Sequence, residues 1–444
     1  MFNKKTIKDV DLRGKVILLR ADYNVPIEYD ATGDEQILND FRIRASLPTI
    51  RYLLEQGARK IVIISHLGRP NSVETLADLD ELEKLPNGRR KFSLRPIFNR
   101  LYEVLAEEFG ENVDDFKQHF LMNFHTTPIF PHTRYGTPIA EADDDYKIEM
   151  LENLRFSKAE KQNSAELAET LLQVTGADLF VQDGFGVVHR AHTSTDEITR
   201  KMPSVAGFLL EKEVSTIAQV FENPEKPFVA VMGGAKISDK LPMIEKFIER
   251  ADSVIIGGAM ANTFLAFHGA EIGQSKIERG QEEIIADIEA KAKRKFGANF
   301  REQFLLPADF GVAKEVAKTA ERREMAISEL QLDDYILDVG ENFSNYTSQV
   351  IENAKTIVWN GTVGMAEFAN FANGSAQVVA AISRATKNGA ISIVGGGDTS
   401  AFAMNWAWEN PDLAEFSLIS TGGGAALELM SGNILPGLEA LPDK

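Results

Sequence analysis

The sequence predicts an α/β protein of two doubly wound, Rossmann-like parallel-sheet domains joined by a hinge helix. Three observations lead there. At 444 residues the chain is too long for one ordinary core, since domains run to roughly 150 residues. Short, non-alternating apolar runs recur between longer amphipathic stretches, as strands buried on both faces of a parallel sheet require. The residues that follow those runs differ between the two halves of the chain, basic and polar in the first and glycine-rich in the second.

Taken in order, the apolar runs are 16–19, 61–64, 179–181, 228–231, 254–256, 357–358, 391–394 and 417–419. Helical patterns lie between them, such as 43–56 closed by Gly57, 96–109 closed by Gly110, and 239–250. Alternation of this kind gives an α/β class, whose ligands sit outside the carboxyl ends of the strands. The stretch 204–221 has helical periodicity and is expected to join the halves. The domains are then 1–203 with the tail 431–444, and 222–430. Stretches 71–91 and 123–145 fit neither sheet and read as irregular surface loops.

The formal net charge of -18 argues against general affinity for nucleic acid or an anionic membrane, while leaving room for a local basic cleft. With no cysteine there are no disulfides, no thiolate catalysis and no cysteine metal site, which suits a reducing cytoplasm. Residues 1–15 are charged throughout, and no apolar run reaches the roughly 18 residues of a membrane span. A soluble cytoplasmic protein is expected.

In the first half the run ends carry Arg20-Ala21-Asp22-Tyr23-Asn24, Ser65-His66-Leu67-Gly68-Arg69-Pro70, Glu152-Asn153-Leu154-Arg155-Phe156 and His189-Arg190-Ala191-His192. An arginine presents a planar fork matched to phosphate and carboxylate, so Arg42, Arg69, Arg155 and Arg190 together would suit a ligand with two or more anionic groups. Singly, each is more often just solvated. In the second half the ends carry Gly233-Gly234-Ala235-Lys236, Gly257-Gly258-Ala259, Gly395-Gly396-Gly397-Asp398 and Gly422-Gly423-Gly424. One glycine pair is usually a turn, but four clusters at successive strand ends let the backbone approach phosphate oxygens. Neither the usual NTPase phosphate loop nor the dinucleotide fingerprint is present. Lys236 and Lys240 flank Asp239 at a helix start and would reach phosphate, or be solvated first-turn residues. Asp398 would bind magnesium, cap the next helix, or do both.

In their order these segments, with Val25-Pro26, Leu151, Trp359-Asn360-Gly361, Thr399 and Ser420-Thr421, resemble the phosphoglycerate kinase family over nearly the whole chain. The resemblance implies a phosphotransferase with a carboxyl acceptor, acting in glycolysis and gluconeogenesis. It would move a phosphoryl group reversibly between 1,3-bisphosphoglycerate and ADP, giving 3-phosphoglycerate and ATP, by in-line transfer with domain closure. By matching positions, Asp22, Asn24, Arg42, His66, Leu67, Gly68, Arg69, Arg155, His189 and Arg190 would hold the acid. Gly234, Ala235, Lys236, Lys240, Gly257, Gly258, Asn360, Glu367, Gly396, Gly397, Asp398 and Thr399 would line the nucleotide site, with Glu367 on the ribose and Mg2+ on Asp398. Arg42, Lys236, Gly422 and Gly423 would be catalytic. A monomer is expected.

A carboxylate attacking phosphorus is already ionised at neutral pH, so His66, His189 and His192 read as neutral or cationic hydrogen-bond donors rather than as general bases. The chain departs from the family pattern at Gly184, Val187-Val188, Thr362, Ile336 and Glu341, the last two near the expected adenine pocket. The segment Ile434-Leu435-Pro436-Gly437 resembles the family's tail, which packs on the first domain. Two alternatives stay open at this point: a non-catalytic relative with a binding or regulatory role, and a kinase for another phosphorylated carboxylic acid.

Overall fold

The computed structural model describes residues 2–141 and 145–444. The chain forms two compact units, Met1–Ser215 with Ile434–Lys444, and Thr216–Asn433. In the first, β1 (Val16–Arg20), β2 (Lys60–Ile64), β3 (Leu121–His125), β4 (Tyr146–Leu151), β5 (Leu179–Gln182) and β6 (Ser204–Ala206) make one parallel sheet in the order β3-β4-β2-β1-β5-β6. Side chains alternate across a strand, and here both faces are covered. Ile17 and Leu19 enter one core with Ile50 and Leu101, while Val16 and Leu18 enter another with Leu167 and Leu171. Two cores on one strand explain the unbroken apolar run.

The strands that do not read as apolar runs have physical reasons for it. Edge strand β3 buries Met122 and Phe124 and leaves its alternate residues more open. Strand β4 buries Glu149, which accepts from the buried Lys60 ammonium on β2 at 2.7 Å. Ser204–Ala206 pairs with β5 as an edge strand rather than beginning a helix.

Residues 43–56 form two helices, α1 (Phe41–Ala45) and α2 (Leu47–Glu55). The Ser46 hydroxyl between them donates to the Ile43 carbonyl at 2.8 Å and meets the Tyr23 hydroxyl at 2.8 Å, a side-chain bond that competes with the helix ladder. The joining helix, α3, spans Phe208–Glu222, starting four residues later than its periodicity suggests, and the boundary between the units falls within it. The described parts of stretches 71–91 and 123–145 are ordered and mostly irregular, with Val73, Leu82, Phe130 and Phe156 in a small core and Leu76–Glu81 a 3-10 helix, but Asn123, Phe124 and His125 belong to strand β3 and so do join the sheet. Residues 142–144 of the second stretch lie outside the described residues.

Asp183, just past β5, ties down the start of α3. Its Oδ1 accepts the N–H groups of Leu209 at 2.9 Å and Leu210 at 3.4 Å. Burial nevertheless outweighs these donors and the Thr49 hydroxyl, and pushes the carboxyl up to about 7. The folded chain therefore holds a proton that the unfolded one, titrating near about 3.9, has lost. Stability from this group falls as pH rises between those values. Urea midpoints should shift in favour of Asp183→Asn over wild type on going from about pH 4.5 to about pH 7.5. An unchanged difference between the two proteins would contradict this.

In the second unit β7 (Phe228–Met232), β8 (Ser253–Ile256), β9 (Phe304–Leu305), β10 (Thr356–Asn360), β11 (Ile391–Gly395) and β12 (Leu418–Ile419) form a parallel sheet in the order β9-β8-β7-β10-β11-β12. A three-stranded antiparallel sheet of Arg323–Ala326, Asp309–Ala313 and Tyr335–Val339 is added to it, which the sequence did not suggest. In both parallel sheets the strand order reverses at the centre, beside β1 and β5 in one unit and β7 and β10 in the other. Such switch points open a crevice at the carboxyl ends of the strands.

Candidate active site

The crevice of the first unit gathers the predicted basic residues. Asp22 and Asn24 follow β1, His66 to Arg69 follow β2, Arg155 lies in the short helix Leu154–Phe156 after β4, and His189 and Arg190 follow β5. Arg42, on α1, donates to Asp22 Oδ2 at 2.8 Å. Gly68 joins two of the others: its N–H donates to Asn24 Oδ1 at 2.7 Å and its carbonyl accepts from Arg155 Nη1 at 2.8 Å. Leu67 is buried, and its carbonyl accepts from Asn153 Nδ2 at 2.8 Å, which makes it part of the scaffold. Arg190 Nε donates to His189 Nε2 at 3.0 Å. Arg69 and Arg190 are exposed.

These cations feel one another. Arg155 is pushed down to about 10, first by burial and then by the Arg20 and Arg190 guanidiniums. Lys161 is lowered by burial and by Arg155, Arg69 and Arg190. Charges that repel one another in a shared crevice are relieved by a polyanion. His66 lies well below the usual histidine range, through burial and then Arg20, Arg155 and Arg42, and His192 is lowered to about 4 by burial, then by Arg155 and Arg20. Both are neutral at pH 7, which removes the cationic alternative for them.

Arg20, which ends the apolar run of β1, has no role among the sequence expectations. It is buried, and donates from Nη2 to His66 Nδ1 at 3.1 Å and from Nε to Ser194 Oγ at 2.9 Å. A guanidinium cannot accept, so His66 Nδ1 is the acceptor and its proton sits on Nε2. Ser194 in turn donates to the buried Glu160 at 2.6 Å, supplying the counter-charge for Arg20. The available signal was an arginine ending an apolar run.

In the second unit the glycine clusters meet at the ends of β7, β10 and β11. Gly258, at φ +64°, starts α5 once α4 (Leu241–Arg250) and β8 have passed; α5 spans Gly258–Phe267. A Cβ on Gly258 would stand 2.9 Å from the Gly234 N and O. Two further helices, α6 (Gly397–Glu409) and α7 (Gly423–Met430), begin side by side, since a Cβ on Gly423 would lie 2.9 Å from the Gly397 N. Two adjacent helix starts with free N–H groups attract an anion. Gly422 caps α7.

A cavity of about 520 Å³ opens among Gly234, Ala235, Gly258, Glu367 and Asp398 from the predicted set, together with Ile336 and with residues that were not anticipated, notably Asn262 and Phe310. Ile336 thus lines the cavity, as its place in the sequence suggested, while Glu341 begins the helix Glu341–Glu352 and is not among the lining residues described. Several predicted residues are not among those that line this cavity. Lys240 donates to the carbonyls of Gly233 at 2.8 Å and Asn360 at 3.1 Å, and burial lowers it to about 8. Thr399 Oγ1 accepts from the Gly361 N–H at 2.8 Å. Gly257 donates to the Met232 carbonyl at 2.8 Å. These contacts hold the strand ends in place. Asp398 is the second residue of α6, whose cap is Gly396, so the capping alternative for Asp398 does not hold. Lys236 is exposed at the cavity's rim segment, next to Ala235. The Asn360 Nδ2 donor is buried without a partner, 3.6 Å from where a Cβ of Gly396 would stand, and such a donor fits a phosphate oxygen.

Known proteins resemble this arrangement from end to end. Residues 7–433 match the family described as phosphoglycerate kinase. A phosphoglycerate kinase of Chloroflexus aggregans is 41% identical over 446 residues, covering 99% of both chains, and one of Enterococcus faecalis is 39% identical over 99% of this chain and 100% of its own. Among solved structures, the phosphoglycerate kinase from Coxiella burnetii is 32% identical with a TM-score of 0.75, covering 98% of each chain. That of Pyrococcus horikoshii, with the same coverage and TM-score, is 28% identical. On sequence and fold alike, this chain belongs to the phosphoglycerate kinase family.

Proposed function

We propose that the chain transfers a phosphoryl group reversibly between 1,3-bisphosphoglycerate and ADP, giving 3-phosphoglycerate and ATP. The observation that carries this reading is the cluster of mutually repelling cations in the first unit, Arg155 with Arg20, Arg69, Arg190 and Lys161, which calls for a small polyanion. In this reading Arg155, Arg69 and Arg190 hold the acid's phosphate and carboxylate, and His66 offers its Nε2 proton. Asn24 and Gly68 shape the backbone around the acid. Arg42 and Lys236 meet the transferring group.

The nucleotide occupies the cavity of the second unit, with its phosphates toward the paired starts of α6 and α7 and its ribose near Glu367. Among the described residues no group of three histidine, aspartate or glutamate side chains is placed to hold a metal. The lone carboxylate of Asp398 suits magnesium, which takes few carboxylates and arrives on substrate phosphates. When bound, that ion neutralises phosphate charge. In-line transfer needs the reacting atoms within roughly 3–3.5 Å, so the units carrying the two ligands close together about α3. Among the described residues no helix is long and apolar enough to cross a membrane. A cytoplasmic location and a monomeric state are part of the proposal, as the resemblance to the family implies them.

An assay of ATP and 3-phosphoglycerate turnover tests the reading. No side-chain base is needed, and His66 and His192 stay neutral, so kcat should change little between about pH 6 and about pH 8.5. A limb near pH 7 that vanishes in His66→Gln or His192→Gln would show that a histidine moves a proton. No turnover with this pair of substrates would overturn the proposal.

A further inference from the structure

We infer that Asn262 reads the exocyclic amino group of the nucleobase through its Oδ1, so that the cavity prefers a base carrying an amino group to one lacking it; this rests on the cavity being the nucleotide site. Asn262 is 2% exposed and lines the cavity. Its Nδ2 donates to the Lys276 carbonyl at 3.3 Å. A carbonyl has no proton to give, so the amide cannot turn round without losing that bond, and Oδ1 is the atom left over. That oxygen is buried and has no hydrogen-bond partner. A buried acceptor without a partner is costly, and buried polar groups without one mark places where something else belongs.

The surroundings favour the base over the ribose. Residues three apart share a helix face, which sets Asn262 beside Leu265 on α5. Leu265 packs in one apolar cluster with Phe310 and Ile336, and both of those line the same cavity as Asn262. Apolar walls suit the faces of a flat ring, while the exposed carboxylate of Glu367 suits sugar hydroxyls. Of the other buried residues of α5, Met260, Ala261, Phe264 and Leu265 are apolar, and Thr263 gives its hydroxyl proton to the Ala259 carbonyl at 3.1 Å. An asparagine there adds nothing to packing that a leucine would not. Its carboxamide oxygen accepts and cannot donate, so it selects a donor. On adenine the amino group is the donor that projects from the ring edge.

Calorimetric titration with ADP, with purine riboside 5′-diphosphate (ADP without its amino group) and with 2′-deoxy-ADP tests this. Wild type should bind ADP about tenfold more tightly than the purine analogue, since a site built around a donor is left with an unpaired acceptor by a ligand lacking it. In Asn262→Leu, ADP should weaken to about the level of the analogue, so that their ratio falls to about one. Asn262→Ala is measured alongside, and should lose the same preference. The ratio is insensitive to general loosening of the fold, which weakens all three ligands alike. An unchanged ratio in both variants, equal binding of ADP and the analogue by wild type, or loss of discrimination only against 2′-deoxy-ADP would each overturn the inference. If wild type binds none of the three diphosphates, the nucleotide site itself is misplaced and the inference falls with it.

Discussion

Replacing either Arg42 or Lys236 by alanine is expected to lower kcat by about 10²–10³-fold while changing either KM far less. The charge on a transferring phosphoryl group is redistributed in the transition state, and a donor aimed at it contributes most at that moment. Arg42 is positioned for this. It stands on the short helix α1, and Asp22, itself buried, holds one of its nitrogens at 2.8 Å and so leaves the remaining donors of the fork available. Lys236 is exposed and closes the segment Gly233-Gly234-Ala235-Lys236, where the backbone is tied to the end of β10 and the residues after it by the bonds from Gly233 N to Asn360 O at 3.0 Å and Gly234 N to Thr362 O at 3.0 Å. Steady-state kinetics in both substrates decides the matter. A variant that keeps wild-type kcat has the wrong residue assigned, and one that raises KM alone has lost ground-state binding instead.

Glu149→Ala should destabilise the first unit by about 3–5 kcal/mol, the usual result of leaving one buried charge without its partner. Lys60 has no exposed side-chain surface, and its ammonium lies between Glu149 Oε1 at 2.7 Å and the Ile139 carbonyl at 3.0 Å. His125 Nε2 meets the other carboxylate oxygen at 2.6 Å. Burial raises the Glu149 carboxyl, but the bonds from His125 and Lys60 outweigh it and leave it below the usual value. A depressed carboxyl contributes stability above the unfolded value of about 4.3 and loses it as pH falls through the folded one. Urea denaturation at neutral pH measures the loss, and a change under about 1 kcal/mol would contradict this account. The double variant Lys60→Met with Glu149→Leu removes both charges and should recover much of the stability.

The parts of the fold that sequence reasoning reached are those where one physical demand dominates. Strands such as β1 and β10, covered on both faces, had to be apolar through their middle residues and were legible from those. Strand β4 was not, because its buried Glu149 is acceptable only beside Lys60, 89 positions away. Helix α3 was placed too early because Ser204 and Val205 fit a helical period as well as they fit an edge strand. The site shows the same division. Residues at strand ends, such as Asp22, Arg155 and Gly234, could be singled out as candidates because topology puts ligands there. What sequence could not tell was which groups face the ligand and which hold up those that do. Lys240 and Thr399 spend their donors and acceptors on backbone. Arg20 and Asn262 act from within the core, where a lone polar residue among apolar neighbours was the only available sign.

The central claim is that each unit carries one substrate and that transfer requires the two to be brought together. Small-angle scattering on the enzyme alone, with 3-phosphoglycerate, with magnesium nucleotide, and with both tests it most directly. The account predicts a radius of gyration that falls when both ligands are bound and changes little with either one, whereas the same radius in all four states would contradict it.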